Sequence, residues 1–211
     1  MNGNLILISS PSGGGKGTLI KEILGSMPDI TYSISYTTRD IRSGEEDGRE
    51  YFFISKSDFE HRRDEGEFLE YAVVHGNYYG TSKMQVEQVM ASGRDVLLEI
   101  DVQGASILNE KMPNAISIFI LPPSFPVLRS RLTLRATESS GDLQLRLSNS
   151  FSEVLQYEHF SYVVINDDIN VAVNDLRTII RAERLRTDRQ ADTINAILDS
   201  FDAKKHQLSG E

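Results

Sequence analysis

Ser9-Ser10-Pro11-Ser12-Gly13-Gly14-Gly15-Lys16-Gly17-Thr18 is the stretch of this chain with the plainest chemistry. An apolar run, Leu5-Ile6-Leu7-Ile8, precedes it, and a helical pattern over 17–24 follows. Between a strand and a helix, such a glycine-rich turn can aim successive backbone N–H groups inward around an anion, and the helix N-terminus adds partial positive charge. Lys16 would then reach the β- and γ-phosphates of a nucleoside triphosphate and follow the charge as it moves. The pattern departs from G-x-x-x-x-G-K-[ST]: Ser10 stands for the first glycine, and Gly17 for the Ser/Thr that usually offers a hydroxyl to Mg²⁺. Thr18, one position along, points about 100° away, toward the nucleotide α-phosphate or the helix's own carbonyls. A glycine-rich turn that holds no ligand is the plainer alternative.

The elements that must position this loop follow from periodicity. Residues 5–8 are continuously apolar, and similar mostly apolar stretches at 96–100, 116–121 and 162–165 suit buried strands of a parallel sheet. Helical patterns lie at roughly 82–92, 103–111, 124–134, 142–157 and 170–188. Strands alternating with helices imply a parallel α/β sheet with right-handed crossovers. The segment from about Tyr32 to Gly80 breaks that rhythm. Tyr51-Phe52-Phe53-Ile54, residues 68–74 and Tyr78-Tyr79 read as strands around one short helix at about 56–65, a mostly antiparallel insertion. The polar stretch 135–142, flanked by helices, suits a mobile lid. One domain is expected, with a core of 1–31, 82–134 and 158–211, an inserted subdomain at about 32–81 and a lid at about 135–157.

Composition narrows the class. The chain has 211 residues, 39% hydrophobic and 25% charged, which is ordinary for a globular protein and not for a disordered one. Its formal net charge of −9 argues against a non-specific nucleic-acid binder, which needs a basic surface. The absence of cysteine removes disulfides, thiolate nucleophiles and Cys-based zinc sites. His61, His75, His159 and His206 show no ligand spacing. No signal peptide or membrane span is expected at the N-terminus, so the expected compartment is the cytoplasm.

A wider set of motifs makes the reading specific. Ser33-Ile34-Ser35-Tyr36-Thr37-Thr38-Arg39 is followed by Arg42, Gly44-Glu45, Gly48 and Tyr51. Phe68-Leu69-Glu70, Gly76-Asn77-Tyr78-Tyr79-Gly80-Thr81 and Glu99-Ile100-Asp101-Val102-Gln103-Gly104 come later. Together they closely resemble the motif set of the guanylate kinase family, and the resemblance runs from Leu5 to about Arg186. The Gly-Lys-Gly-Thr end of the first loop is similar to the form found in adenylate kinases. The resemblance implies a P-loop core sheet flanked by helices, a GMP-binding insertion and a helical lid. It also implies phosphoryl transfer from ATP with Mg²⁺ to GMP or dGMP. ATP would lie against Ser12, Gly13, Gly14, Gly15, Lys16, Gly17, Thr18, Arg131, Arg135 and Asn166. GMP would lie against Ser35, Arg39, Arg42, Tyr51, Glu70, Tyr79, Thr81 and Asp101. Lys16, Arg39, Arg135 and Arg146 would carry the catalysis.

The residue types agree with those roles. Arg39 and Arg42 are planar, permanently charged forks suited to bidentate phosphate contacts, and the hydroxyls of Tyr51 and Tyr79 can complete the phosphate shell. The Glu70 carboxylate can accept from both N1–H and the exocyclic amine of guanine. Adenine has an acceptor at N1 and no amine at C2, and leaving such a site unpaired is costly. Glu99 and Asp101 end a strand on one face. Glu99 suits a water-mediated hold on Mg²⁺, and Asp101 either reads guanine or caps the helix that follows. Arg131, Arg135 and Arg146 resemble the family's lid arginines, although Ala136 stands where the usual lid has glycine and Gly141 falls in a stretch that is usually acidic.

Other readings compete. Guanylate kinase-like domains of scaffold proteins bind phosphopeptides without catalysis, but they have usually lost phosphate-site residues that this chain keeps in Lys16, Arg39, Arg42 and Arg146. Asp101-Val102-Gln103-Gly104 matches the D-x-x-G of regulatory GTPases, yet the chain has no Asn/Thr-Lys-x-Asp guanine motif. Arg177, Arg181, Arg184, Arg186 and Arg189 make a basic C-terminal helix, expected to be solvated or to face another copy in a homo-oligomer rather than to bind nucleic acid. The expected partners are therefore ATP and GMP, without nucleic acid or membrane.

Overall fold

The computed structural model describes the backbone of residues 2–74, 76–135 and 140–208, and their side chains apart from those of 135, 140–143, 145, 146 and 202–208. The chain opens with β1 (Leu5–Ser9), α1 (Lys16–Ser26) and β2 (Ile30–Tyr32). An excursion follows through β3 (Tyr36–Thr37), β4 (Phe52–Phe53), α2 (Lys56–Asp64), β5 (Phe68–Val74) and β6 (Asn77–Ser82). The main rhythm resumes with α3 (Lys83–Ala91), β7 (Asp95–Glu99), α4 (Val102–Lys111), β8 (Ile116–Leu121), α5 (Phe125–Arg135), α6 (Ser140–Val154), β9 (Tyr162–Ile165) and α7 (Ile169–Arg184). A last helix, α8 (Ala191–Leu208), ends the described chain.

Five strands form a parallel sheet in the order β2-β7-β1-β8-β9, and the expected α/β class holds. Its central strand explains itself by the two-residue period of side chains. Ile6 and Ile8 of β1 pack with Leu19, Ile20 and Ile23 of α1 and with Leu176 and Ile180 of α7. Leu5 and Leu7 face the other way, onto Val86 of α3 and Ala105 and Leu108 of α4. Both faces are covered, which is why residues 5–8 read as an unbroken apolar run.

The excursion builds a second sheet, β4-β3-β6-β5, in which β6 runs antiparallel to both β3 and β5 while β3 and β4 are parallel. The expected mostly antiparallel insertion is present. Helix α2 is pinned beneath it by Phe59, fully buried, whose ring stacks on Phe68 at 4.5 Å and Tyr78 at 5.0 Å between centroids.

Three elements have no counterpart in the sequence reading. β2 and β3 are three and two residues long, too short to show a period. α8 was not anticipated, and its apolar face is only partly covered, with Ile197 50% and Phe201 63% exposed. The helix expected over 170–188 stops at Arg184, and Thr187–Arg189 forms a separate 3-10 turn. Its arginines are not simply solvated. Arg184 Nε donates to the buried carboxylate of Asp95 at 2.8 Å, and Arg177 Nε donates to Ser26 Oγ at 3.1 Å. Among the described residues no helix is long and apolar enough to cross a membrane.

Candidate active site

The phosphate loop lies between β1 and α1, where a β-strand delivers the chain directly into a helix N-terminus. Gly13 and Gly15 hold φ of 81° and 89°, the left-handed region that β-carbon-bearing residues avoid. Gly15 is also confined in space: a β-carbon there would fall 2.3 Å from Asn166 Nδ2. Asn166, buried at the end of β9, donates from Nδ2 to the Gly14 carbonyl at 2.9 Å, and its own carbonyl accepts from Arg131 Nη2 at 2.9 Å. Arg131 Nη1 is buried with no hydrogen-bond partner among the described residues. An unpaired guanidinium donor beside a glycine-rich loop is a strong argument for an anion at that place.

Lys16, the first residue of α1, extends along the loop and donates from Nζ to the Ile100 carbonyl at 2.9 Å. Its nearest charged partner is Glu99 at 3.8 Å. Burial holds the Lys16 pKa below that of a free lysine, against the opposing pull of Glu99, Asp101 and Glu153. Glu99 also accepts from the Tyr32 hydroxyl at 3.3 Å, so β2, an edge strand of the core, supplies a group to the site. Desolvation, with the Glu99 charge second, raises the Tyr32 phenol well above its ordinary value, so it remains a donor. Sequence reasoning did not find Tyr32. An aromatic hydroxyl at the end of a three-residue strand leaves no local pattern.

A cavity of about 230 Å³ joins this loop to the insertion. Lys16, Glu99, Ile100 and Asp101 form one side; Ser35, Tyr51, Glu70 and Tyr79 form the other. Glu70 sits on β5, buried, and its Oε1 accepts from the hydroxyl of Thr81 on the neighbouring strand β6 at 2.5 Å. The antiparallel register sets Glu70 directly opposite Thr81. The other carboxylate oxygen lies against the first turn of α4, where a β-carbon on Gly104 would come within 2.9 Å of Oε2. Burial, helped by the Asp101 charge and opposed by the Thr81 hydrogen bond and Lys111, pushes the Glu70 carboxyl up to about 7. Tyr51 is likewise pushed up to about 12, chiefly by desolvation, and stays a phenol.

Asp101 is the N-cap of α4: its Oδ1 accepts from the Gly104 N–H at 2.8 Å. The capping alternative of the sequence reading is thus what the side chain does here, while the residue also lines the cavity. Arg39 lies under the insertion's aromatics, 5.4 Å from the Tyr51 ring centroid. Its guanidinium donates to both oxygens of Glu45 at 3.0 and 2.9 Å, and to the Asp40 carbonyl. Glu45 also accepts from the Arg42 N–H at 2.8 Å, which closes the loop carrying both arginines. The Arg39 hydrogen bond holds the Glu45 carboxyl below its usual range. Arg42 itself is exposed at the rim. Glu45 appears in the sequence as part of a motif, but its grip on Arg39 was not foreseen. The side chains of the two remaining lid arginines, Arg135 and Arg146, lie outside the described residues, as do residues 136–139 of the expected lid. Among the described residues no three acidic or imidazole groups converge as a metal cage would require. Glu99, a single carboxylate 3.8 Å from Lys16 Nζ, fits a water-mediated hold on a divalent metal rather than a protein cage.

A phosphate loop at the start of a parallel sheet, facing a cavity lined by acidic and phenolic groups on an inserted sheet, defines a P-loop kinase of the nucleoside monophosphate type. The guanylate kinase family model matches residues 2–183. A guanylate kinase of Aromatoleum aromaticum is 48% identical over 186 residues, covering 88% of this chain and 91% of the relative. One from Aliivibrio fischeri is 47% identical over 201 residues, covering 94% and 97%. The solved guanylate kinase of Anaplasma phagocytophilum superposes with a TM-score of 0.75 at 33% identity and covers 89% of each chain. This chain belongs to the guanylate kinase family.

Proposed function

We propose that this chain transfers the γ-phosphoryl group of ATP to GMP, with ATP on the phosphate loop and GMP against the insertion. The observation that carries the reading is the single cavity in which Lys16 of the phosphate loop meets Glu70, a buried carboxylate suited to guanine. dGMP offers the same guanine edge and phosphate to these groups and is accepted as well. The enzyme works in the cytoplasm, in keeping with its acidic, cysteine-free composition.

The chemistry asks the protein for position and charge rather than for a covalent intermediate. Glu70 accepts from guanine N1–H and the exocyclic amine, with Thr81, Ser35 and Asp101 around the base. Arg39, held by Glu45, and Arg42 at the rim bind the GMP phosphate with the hydroxyls of Tyr51 and Tyr79, and so place its oxygen for attack. Lys16 stands between the two substrates and stabilises charge on the transferring group. Arg131 offers its unpaired Nη1 to ATP oxygens. Arg135 and Arg146 complete that charge from the lid. Asn166 braces the loop through Gly14. Glu99 would hold Mg²⁺ through water, and the metal would supply further neutralisation of phosphate charge.

The raised Glu70 pKa gives this assignment a pH signature. Two donors from guanine favour the carboxylate form, so binding GMP must deprotonate whatever fraction of Glu70 is protonated in the free enzyme. Because that pKa is about 7, the KM for GMP should rise as pH falls through 7, and GMP binding at lower pH should release a proton. The GMP phosphate titrates separately, near about 6. Calorimetric GMP titrations in buffers of different ionisation heat, repeated with Glu70→Gln, separate the two. The wild type should show a step near 7 that the variant lacks. Identical pH profiles for the two proteins would remove Glu70 from the guanine site.

A further inference from the structure

Helix α6 reaches the phosphate loop through two side chains that grip a single residue. The Ser12 N–H donates to Glu153 Oε2 at 2.8 Å, and the Ser12 carbonyl accepts from Ser150 Oγ at 3.2 Å. Ser150 and Glu153 are three positions apart on α6 and therefore share a face. Ser150 is fully buried, and Glu153 is half-buried. Both contacts join residues far apart in the chain, by 138 and 141 positions.

The grip falls beside the anion cradle and not in it. The Ser12 N–H is taken by Glu153, and the Gly14 N–H by the Pro11 carbonyl at 2.9 Å. The N–H groups of Gly13, Gly15, Lys16, Gly17 and Thr18 make no hydrogen bond among the described residues, and these are the ones left for phosphate. A carboxylate placed in the cradle would compete with ATP. One that binds the preceding N–H fixes the loop while leaving the cradle open. Glu153 also borders a larger cleft of about 740 Å³, whose opposite walls include Val74 of β5 and Gln103 of α4. Helix α6 thus runs between the donor loop and the mouth of the acceptor site. It carries Arg146 seven residues before Glu153, about 10 Å along the axis.

We propose that Ser150 and Glu153 form a two-point clamp on Ser12 that fixes α6, and with it the backbone position of Arg146, relative to the phosphate loop, which makes Glu153 a positioning residue for phosphoryl transfer. The inference rests on the loop holding ATP, so ATP binding is measured apart from turnover. Glu153→Ala loses an acceptor for a backbone N–H and should lower kcat by about tenfold or more. Its KM for GMP and its melting temperature should stay near those of wild type. Glu153→Gln keeps an oxygen for the Ser12 N–H and should recover kcat to within about threefold of wild type. Ser150→Ala should lower kcat in the same direction by about threefold. The double variant should be little worse than Glu153→Ala alone, because both side chains hold one residue.

Equal losses in Glu153→Ala and Glu153→Gln would show that the charge acts on Lys16 and would overturn the clamp. So would additive effects of the two alanines, or a kcat within twofold of wild type in Glu153→Ala. If Glu153→Ala does not fold, Ser150→Ala with Glu153→Gln decides: unchanged kcat in Ser150→Ala overturns the proposal. Absence of ATP binding to the wild type contradicts the functional reading beneath it and takes the clamp's role with it.

Discussion

Lys16→Ala should lower kcat by about a hundredfold or more, because one preorganised charge aimed at the reacting group is worth roughly 3 kcal/mol or above. The fold should survive. Lys16 is the first residue of α1, its ammonium bonds one carbonyl, and alanine is the strongest helix former. The Ile100 carbonyl places this ammonium before substrate arrives, and Glu99, Asp101 and Glu153 favour its charged form against the burial that lowers its pKa. Steady-state kinetics and a melting curve together separate the two effects. A variant that turns over near the wild-type rate would show that the loop between β1 and α1 is not the catalytic cradle.

Glu70→Gln should cost GMP use about a hundredfold in kcat/KM, from weakened contacts to two guanine donors at about 1.5–3 kcal/mol for each charge-assisted hydrogen bond. The geometry makes the loss sharper than an amide swap at a surface. Thr81 already donates to Oε1. A glutamine with its one oxygen toward Thr81 turns its NH₂ toward the base, donor against donor. With the oxygen toward the base, the NH₂ meets the Thr81 hydroxyl, and the second guanine donor still goes unpaired. ATP binding measured by calorimetry without GMP should be unchanged, since Glu70 belongs to the insertion and, among the described residues, makes no hydrogen bond or ion pair with the phosphate loop. Collapse of ATP affinity with GMP affinity intact would mean that the two sites have been exchanged.

What could be read from the sequence follows from how far apart in the chain each contact is made. The expected β8 and β9 match their observed bounds because both are mostly apolar runs. β8 is buried along nearly its whole length, with Ser117 its one polar residue, while β9 at the sheet edge buries Val164 and leaves Val163 and Ile165 partly exposed. The phosphate loop was legible because its glycines, its lysine and the flanking strand and helix are contiguous. Lys16, Ser35, Tyr51, Glu70, Tyr79, Glu99 and Asp101 were named from motifs and now line one cavity. Tyr32, Glu45 and Glu153 carry no local signal of what they hold. Tyr32 meets Glu99 across 67 positions and Glu153 meets Ser12 across 141, and only the tertiary fold makes such pairs. Asp101 shows a different limit. An acid before a helix can cap it or read a ligand, and the residue type alone permits both. The structure puts Oδ1 on the cap and leaves the residue beside Glu70's cavity as well. α8 was missed because its apolar spacing is spread along a polar segment whose face the rest of the chain leaves half open.

The central claim is that one cavity brings a triphosphate-binding lysine to a guanine-reading carboxylate. A coupled assay of ADP formation from ATP and Mg²⁺, run with GMP, AMP, CMP and UMP in turn, tests it directly. The account predicts rapid ADP formation with GMP and a rate lower by about a hundredfold or more with AMP, whose N1 presents a lone pair to Glu70. Equal rates with AMP and GMP, or no ADP formed with GMP, would contradict it.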